Sequence, residues 1–316
     1  MHKGNEIEIV HHSTMSQLEI FLVEMVSRAP HGHDDLELGI LLDGGMTLFL
    51  EQNPYPLKAG DIYIINRFQV HSFLRTAETN RILAFQLHPD FYKGINPSLN
   101  DLHFENNIVH SGVLHKQLFR TLFAAARAYF DETLEGQLTC GSLLLSALAL
   151  LLQYSYYSIA NRQETVSSRN NTLRLNRIMD YIGEHYKEKL SLEQIAALEQ
   201  ITPCHASHFI RDMLGISFQQ YLNQVRFEHA LALFQTTGLS ATDICLEVGF
   251  SSTRYLNQMF QANFQCSCKE YLRACEKPRL ACTSLPTGNL QNRFSFRQGK
   301  FLLEKMIANM DGKHLK

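Results

Sequence analysis

The chain is predicted to be a multidomain α+β protein: an N-terminal β-barrel with flanking helices, then an all-α C-terminal domain. Three observations predict this. Short apolar segments separated by turn formers fill residues 7–92. From about Lys116 the apolar period lengthens to that of helices. One stretch, residues 190–222, then returns in altered form as 239–272. A length of 316 residues suits two domains, and a hydrophobic share of 45% can fill their cores.

In the first part, "QLEIFLVEMV", "LELGILLDGG", "MTLFLEQ", "GDIYIINR" and "RILAFQLHPD" read as strands, with turns expected at Gly44-Gly45 and Ala59-Gly60-Asp61. Strands without intervening helices imply a sandwich or small barrel, placed in residues 1–112. "KQLFRTLFAAARAYFDE" and "TCGSLLLSALALLLQYSYYSI" form an expected helical hairpin within residues 113–160. The second of these helices is apolar over more than one stripe, so it has two surfaces to cover. A homodimer contact at Leu143–Leu152 and packing inside one subunit are equal alternatives. Residues 161–172 lack periodicity and read as a linker.

Composition narrows the setting. The net charge is −2, with the acidic excess in the first half and the basic excess in the second. Seven scattered cysteines outline no disulfide framework and suit a reducing cytoplasm. The apolar run "LLLSALALLLQYSYYSIA" is broken by Ser146, Gln153 and Ser155, so no membrane span is expected. The start, "MHKGNEIEIVHH", lacks the apolar core of a secretory signal.

The repeat carries its own capping logic. Ser191 with Gln194, and Ser240 with Asp243, have the spacing of helix N-terminal boxes. Ile195 matches Ile244, Ile210 matches Phe260, and Tyr221-Leu222 matches Tyr271-Leu272. Each copy reads as a short helix, a tight turn and a second helix with a polar outer face, which is a helix-turn-helix unit. "SFQQYLNQVRFEHALALFQ" is the helix between them.

Residues 173–276 resemble the DNA-binding domain of the AraC/XylS family of bacterial transcription regulators. The resemblance is strongest in "DICLEVGFSSTRYLNQMFQANF", in "KEYLR" and in the preceding "YLNQVRFEHALALF". It implies a first recognition helix at Pro203 to Asp212 and a second at about Ser252 to Gln261. Implied DNA-facing residues are Cys204, His205, Ser207, His208 and Arg211 in the first. In the second they are Thr253, Arg254, Asn257 and Gln258, with Lys269 and Arg273 near phosphate. Arginine can address guanine and glutamine adenine. The chain departs from the family at Gln265-Cys266-Ser267-Cys268, where a Gly followed by Thr-Pro or Ser-Pro is common. Residues 277–316 form a basic tail with no assigned role.

Near the start, His31-x-His33-x-x-x-Glu37 precedes Gly44, and Gly60 precedes His71. This spacing resembles the cupins, small barrels that enclose a ligand. His31, His33, Glu37 and His71 supply a full ligand set for Zn, Fe, Mn or Ni. The same residues can instead hydrogen-bond an effector beside Phe49 and Tyr63, with Phe85 as a further barrel residue. No nucleophile or proton-transfer set accompanies them. The favoured expectation is therefore a metal-free, cofactor-free effector pocket in a protein that is not an enzyme. The alternative is a metal-dependent cupin enzyme fused to a DNA-binding domain. Together the resemblances imply an effector-responsive transcription activator that binds double-stranded promoter DNA, a small-molecule effector and RNA polymerase as a homodimer.

Overall fold

A computed structural model describes residues 15, 17–264, 266–273 and 290–313. The first part is antiparallel: β1 (Leu18–His31), β2 (Leu36–Leu50), β3 (Asn53–Lys58), β4 (Ile62–Ile65) and β5 (His71–Leu87). Short strands β6 (Leu102–Phe104) and β7 (Ile108–Val109) follow. Next come helices α1 (Gly112–Tyr129) and α2 (Leu134–Tyr154), then β8 (Tyr157–Ile159), which pairs with β6. With β9 (Leu290–Arg293) from the far end of the chain, the main sheet runs β7-β4-β2-β5-β1-β9, and β3 lies along β2. It makes a β-barrel flanked by helices.

Alternation along the strands sorts the side chains into two layers. Leu38, Ile40, Ile62, Ile64 and Phe85 face α1 and α2. Leu41, Met46, Leu48, Tyr63, Ile65 and Phe73 form the second layer. On α2, Cys140, Leu144, Leu148 and Leu151 are buried at four- and three-residue spacing, while Leu134 and Leu138 are about four-fifths exposed. By length and composition α2 could cross a bilayer, but its buried stripe belongs to the protein core.

The second part is helical: α3 (Arg162–His185), α4 (Leu192–Leu198), α5 (Pro203–Leu214), α6 (Phe218–Thr236), α7 (Ala241–Glu247), α8 (Thr253–Phe264) and α9 (Cys268–Arg273). Strand β9 and α10 (Phe296–Lys313) are the last described elements. The expected caps are present. Gln194 Oε1 accepts from the Ser191 N–H at 2.8 Å, and Ser240 Oγ from the Asp243 N–H at 3.2 Å. Ser217 and Gln220 box the start of α6. Buried Arg226 on α6 donates to the carbonyls of Tyr186 and Glu188, which satisfies the chain end after α3.

Three expectations are corrected. Gly44-Gly45 is no turn; β2 runs through it with a register shift against β5, and the left-handed Gly44 (φ 82°) makes the bulge. The reversal comes later, at Glu51-Gln52, and leads into β3, which the prolines in "NPYPLK" had concealed. Residues 161–172 are no irregular linker. Asn161 and Glu164 cap a helix that continues unbroken to His185, stabilised by its buried Leu175, Ile178 and Ile182.

Candidate effector site and nucleic-acid interface

His31 ends β1, His33 follows two residues later, and His71 opens β5, paired in register with His31. The register brings the three rings together at one end of the barrel. The His31 and His71 centroids are 4.2 Å apart, those of His33 and His71 5.1 Å. One ligand atom from each ring lies within 4.8 Å of the others. Each Nδ1 is anchored to a backbone carbonyl, of Ala29 for His31, Asp35 for His33 and Gln69 for His71, at 2.8–3.1 Å. A donor bond at Nδ1 leaves Nε2 as the ligand or acceptor nitrogen, and that of His31 already accepts from Arg28 Nε at 3.3 Å.

Glu37 lies beneath them on β2. Its carboxylate meets His33 Nε2 at 3.2 Å and accepts from Gln86 at 3.0 Å and the Tyr63 hydroxyl at 2.9 Å. Gly39 makes the last bond possible, since a Cβ there would fall 2.0 Å from the Tyr63 ring. His33 thus bridges the Asp35 carbonyl and the Glu37 carboxylate, and its Nε2 reaches a metal only by giving up the second contact. Burial pushes the Glu37 carboxyl up, but the His33 bond and charge and the Gln86 bond outweigh it, so it ends below its ordinary value. Burial, helped at His31 by Arg28, holds His31 and His71 well below the usual imidazole range.

The expected effector residues thus divide. His31, His33, Glu37, His71 and Tyr63 converge. Phe49 is buried but does not line their cavity, and Phe85 packs in the opposite layer with the helices. Alternation separates them, because Phe49 points away from the layer of Leu48 and Leu50. The cavity holds only about 30 Å³, room for a water or an ion. His71 Nε2 is buried there with no hydrogen-bond partner. Three anchored imidazoles, one of them with an orphaned Nε2, and a carboxylate fit a divalent transition metal by donor type.

Sequence reasoning missed three contributors. Gln86 and Arg28 carry no motif signal. Strand β9 lies in the tail, where it adds Gln291 and Arg293 to the cavity wall. Arg293 pairs with the buried Glu19 and stacks on Phe21 at 3.9 Å.

In the helical part, Cys204, His205, His208 and Arg211 on α5 are exposed and Ser207 is half-buried, opposite the buried Ala206, Phe209 and Ile210. On α8, Thr253, Arg254, Asn257 and Gln258 are exposed opposite Leu256 and Phe260. Lys269 is exposed on α9, whereas the side chain of Arg273 lies outside the described residues. Asn257 is already engaged within the domain, its Oδ1 accepting the Cys268 N–H at 3.1 Å. With Ser267 and Glu270 capping α9, this bond holds the turn where the Thr-Pro or Ser-Pro is missing.

Two family models match these two parts in order, an AraC-like ligand binding domain at residues 24–148 and a helix-turn-helix domain at residues 195–274. The chain belongs to the AraC/XylS family of transcriptional regulators. The AraC-family membership is one of DNA-binding regulators, and it weighs against the enzyme alternative. The HTH-type transcriptional activator RhaS of Enterobacter sp. (strain 638) is 27% identical over 248 residues, 76% of this chain and 86% of that protein. An uncharacterized HTH-type transcriptional regulator of Staphylococcus aureus (strain MRSA252) is 25% identical over 72% of this chain; the match takes in 30% of that relative's length. Among solved structures, ToxT from Vibrio cholerae O395 aligns over 82% of this chain and 98% of its own, at 12% identity and a TM-score of 0.34. The C-terminal domain of AraT, a response regulator from Geobacillus stearothermophilus, aligns over 32% of this AraC-family chain and 84% of its own, at 31% identity and a TM-score of 0.30.

Proposed function

We propose that the protein is a cytoplasmic, effector-responsive activator that binds promoter DNA as a homodimer and brings RNA polymerase to it. The observation that carries this reading is the pair of capped helix-turn-helix units, each presenting a polar, exposed second helix. Such helices dock in the major groove, and two on one chain address successive groove segments. The part-exposed α2 is the dimer surface in this reading, with its Leu138 face toward the partner. The effector site is the histidine end of the barrel. An effector larger than water enters it only if Gln291 and Arg293 of β9 move aside.

Selection of bound fragments from a random DNA pool tests the reading. A defined motif is expected, and uniform affinity across sequences refutes it.

A second reading has a specific observation behind it: the small cavity and the unpartnered His71 Nε2 suit an ion better than a sugar. In that reading the effector is a divalent transition metal held by His31, His33 and His71 with Glu37. Elemental analysis after dialysis against Zn(II) should then give one ion per chain, lost in His71→Ala. No bound metal returns the site to an organic effector.

A further inference from the structure

The segments that carry the histidines also carry the helical domain. Asn176 on α3 grips both backbone groups of Gly32: its Nδ2 donates to the carbonyl at 2.8 Å, and its Oδ1 accepts the N–H at 3.3 Å. Thr172, one turn earlier, donates to the Phe68 carbonyl at 2.6 Å. Val70 is buried in the same cluster as Leu175, Ile178 and Ile210. Gln52, in the turn after β2, donates to the carbonyls of Arg211 and Asp212 at the end of the first recognition helix.

The placement of these contacts is informative. Gly32 is the single residue between His31 and His33. Phe68 and Val70 flank Gln69, whose carbonyl anchors His71. Thr172 and Asn176 are 1% and 9% exposed, so both polar side chains are satisfied across the domain contact, and breaking it leaves them unpaired at a cost. The second helix-turn-helix unit has no such tie, since its buried cluster contains no barrel residue among those described.

We propose that this contact is a latch that transmits the state of the histidine site to the first helix-turn-helix unit. It rests on the reading of that site as the effector site. Docked, Asn176 holds Gly32 and α5 stays fixed against the barrel. A ligand that draws His31 and His33 together moves Gly32 between them. Directional hydrogen bonds fail after a small shift, so the Asn176 pair opens and the unit is released. Release lets α5 adjust to α8, which both helices need in order to enter successive segments of one groove. The candidate base-facing residues of α5 stay exposed while docked, so the latch acts on position and leaves the reading face uncovered.

The packing supplies its own test. A Cβ on Gly32 would lie 2.5 Å from Thr172 Cγ2, so Gly32→Ala pries the contact open. Adding Thr172→Ser removes Cγ2, keeps the hydroxyl and should let it close. Full-length wild type, Gly32→Ala, Asn176→Ala and the Gly32→Ala/Thr172→Ser double variant are compared by hydrogen exchange at residues 30–36. Their affinity for a fragment from the random-pool selection is measured alongside. The latch predicts faster exchange and at least about fivefold tighter DNA binding in both single variants, the low end of ordinary coupling, with both effects reversed in the double variant. Unchanged exchange overturns it, as does unchanged or weaker DNA binding when exchange has risen. If no variant selects a motif, the regulator reading fails, while exchange still decides whether the contact opens as described.

Discussion

Ile195 and Ile244 are both fully buried, as are Ile210 and Phe260, yet the two units they anchor close their cores differently. The first completes its cluster with Val70 from the barrel and with α3. Among the described residues the second uses only the helical part, packing Phe260 edge-on to Phe227 and tilted against Phe264 and Tyr271. Their turns differ too. Gln200 takes a left-handed conformation (φ 53°) in the first, a modest cost for a side-chain-bearing residue. Gly249 (φ 82°) turns the second, where a Cβ would strike the Lys187 backbone at 2.5 Å. Matching local sequence thus builds matching helices, while unlike surroundings give one unit a tie to the barrel and leave the other without one among the described residues.

Core deletions should break this comparison most strongly. Phe260→Ala is expected to cost about 3–5 kcal/mol and Ile210→Ala about 2–5 kcal/mol, the range for large cavities in packed cores. Urea denaturation measures both. Only Ile210→Ala should also speed exchange of the Gly32 amide, because only its cluster includes the barrel. Equal loss of protection in both variants would mean the units are mechanically one body.

The candidate reading faces should give the next largest effect. Arg254→Ala or Gln258→Ala should weaken binding to a selected motif by about 1–3 kcal/mol and relax preference at one position. His205→Ala should do so at a different position, since it sits on the other unit. A motif unchanged by all three would remove these helices from the groove. Asn257→Ala should behave otherwise. It removes the cap on α9, so about 1 kcal/mol of stability is expected to go, with the selected motif unaltered. Altered base preference in that variant would restore Asn257 as a reader.

These expectations also show what was legible in the sequence. The caps, the matched apolar positions and the outward polar faces follow from spacing along one helix, so the repeat revealed them. The histidine cluster was legible through its cupin-like spacing, whereas alternation along one strand does not place it, because His33 lies in the turn between β1 and β2. Phe49 lies outside the cavity and Phe85 takes its packing alternative against the helices, because aromatic character says nothing about which layer a strand residue joins. The β9 cover and the grip of Asn176 on Gly32 join residues 144 or more positions apart. No local period encodes such pairs. The helix through residues 161–172 was hidden because its first turns are polar and its buried residues come later.

The smallest effect sharpens the comparison on the α3 side. Asp180 is half-buried on α3, and burial, with Glu184 adding to it, raises its carboxyl to about 6. A raised acid favours the folded state while it is protonated, below its unfolded value of about 4. That advantage is lost as pH rises through about 6, so at neutral pH the ionised group counts against α3. Asp180→Asn should therefore raise the melting temperature slightly at pH 7 and leave it nearly unchanged at pH 4. The partial exposure of Asp180 and solvent screening keep the gain small. Because α3 carries the latch, the gain should appear as slower exchange along residues 172–185, with the α7 and α8 peptides unaffected. A uniform change across both units would show that α3 stabilises the whole helical domain and that the first unit has no separate support.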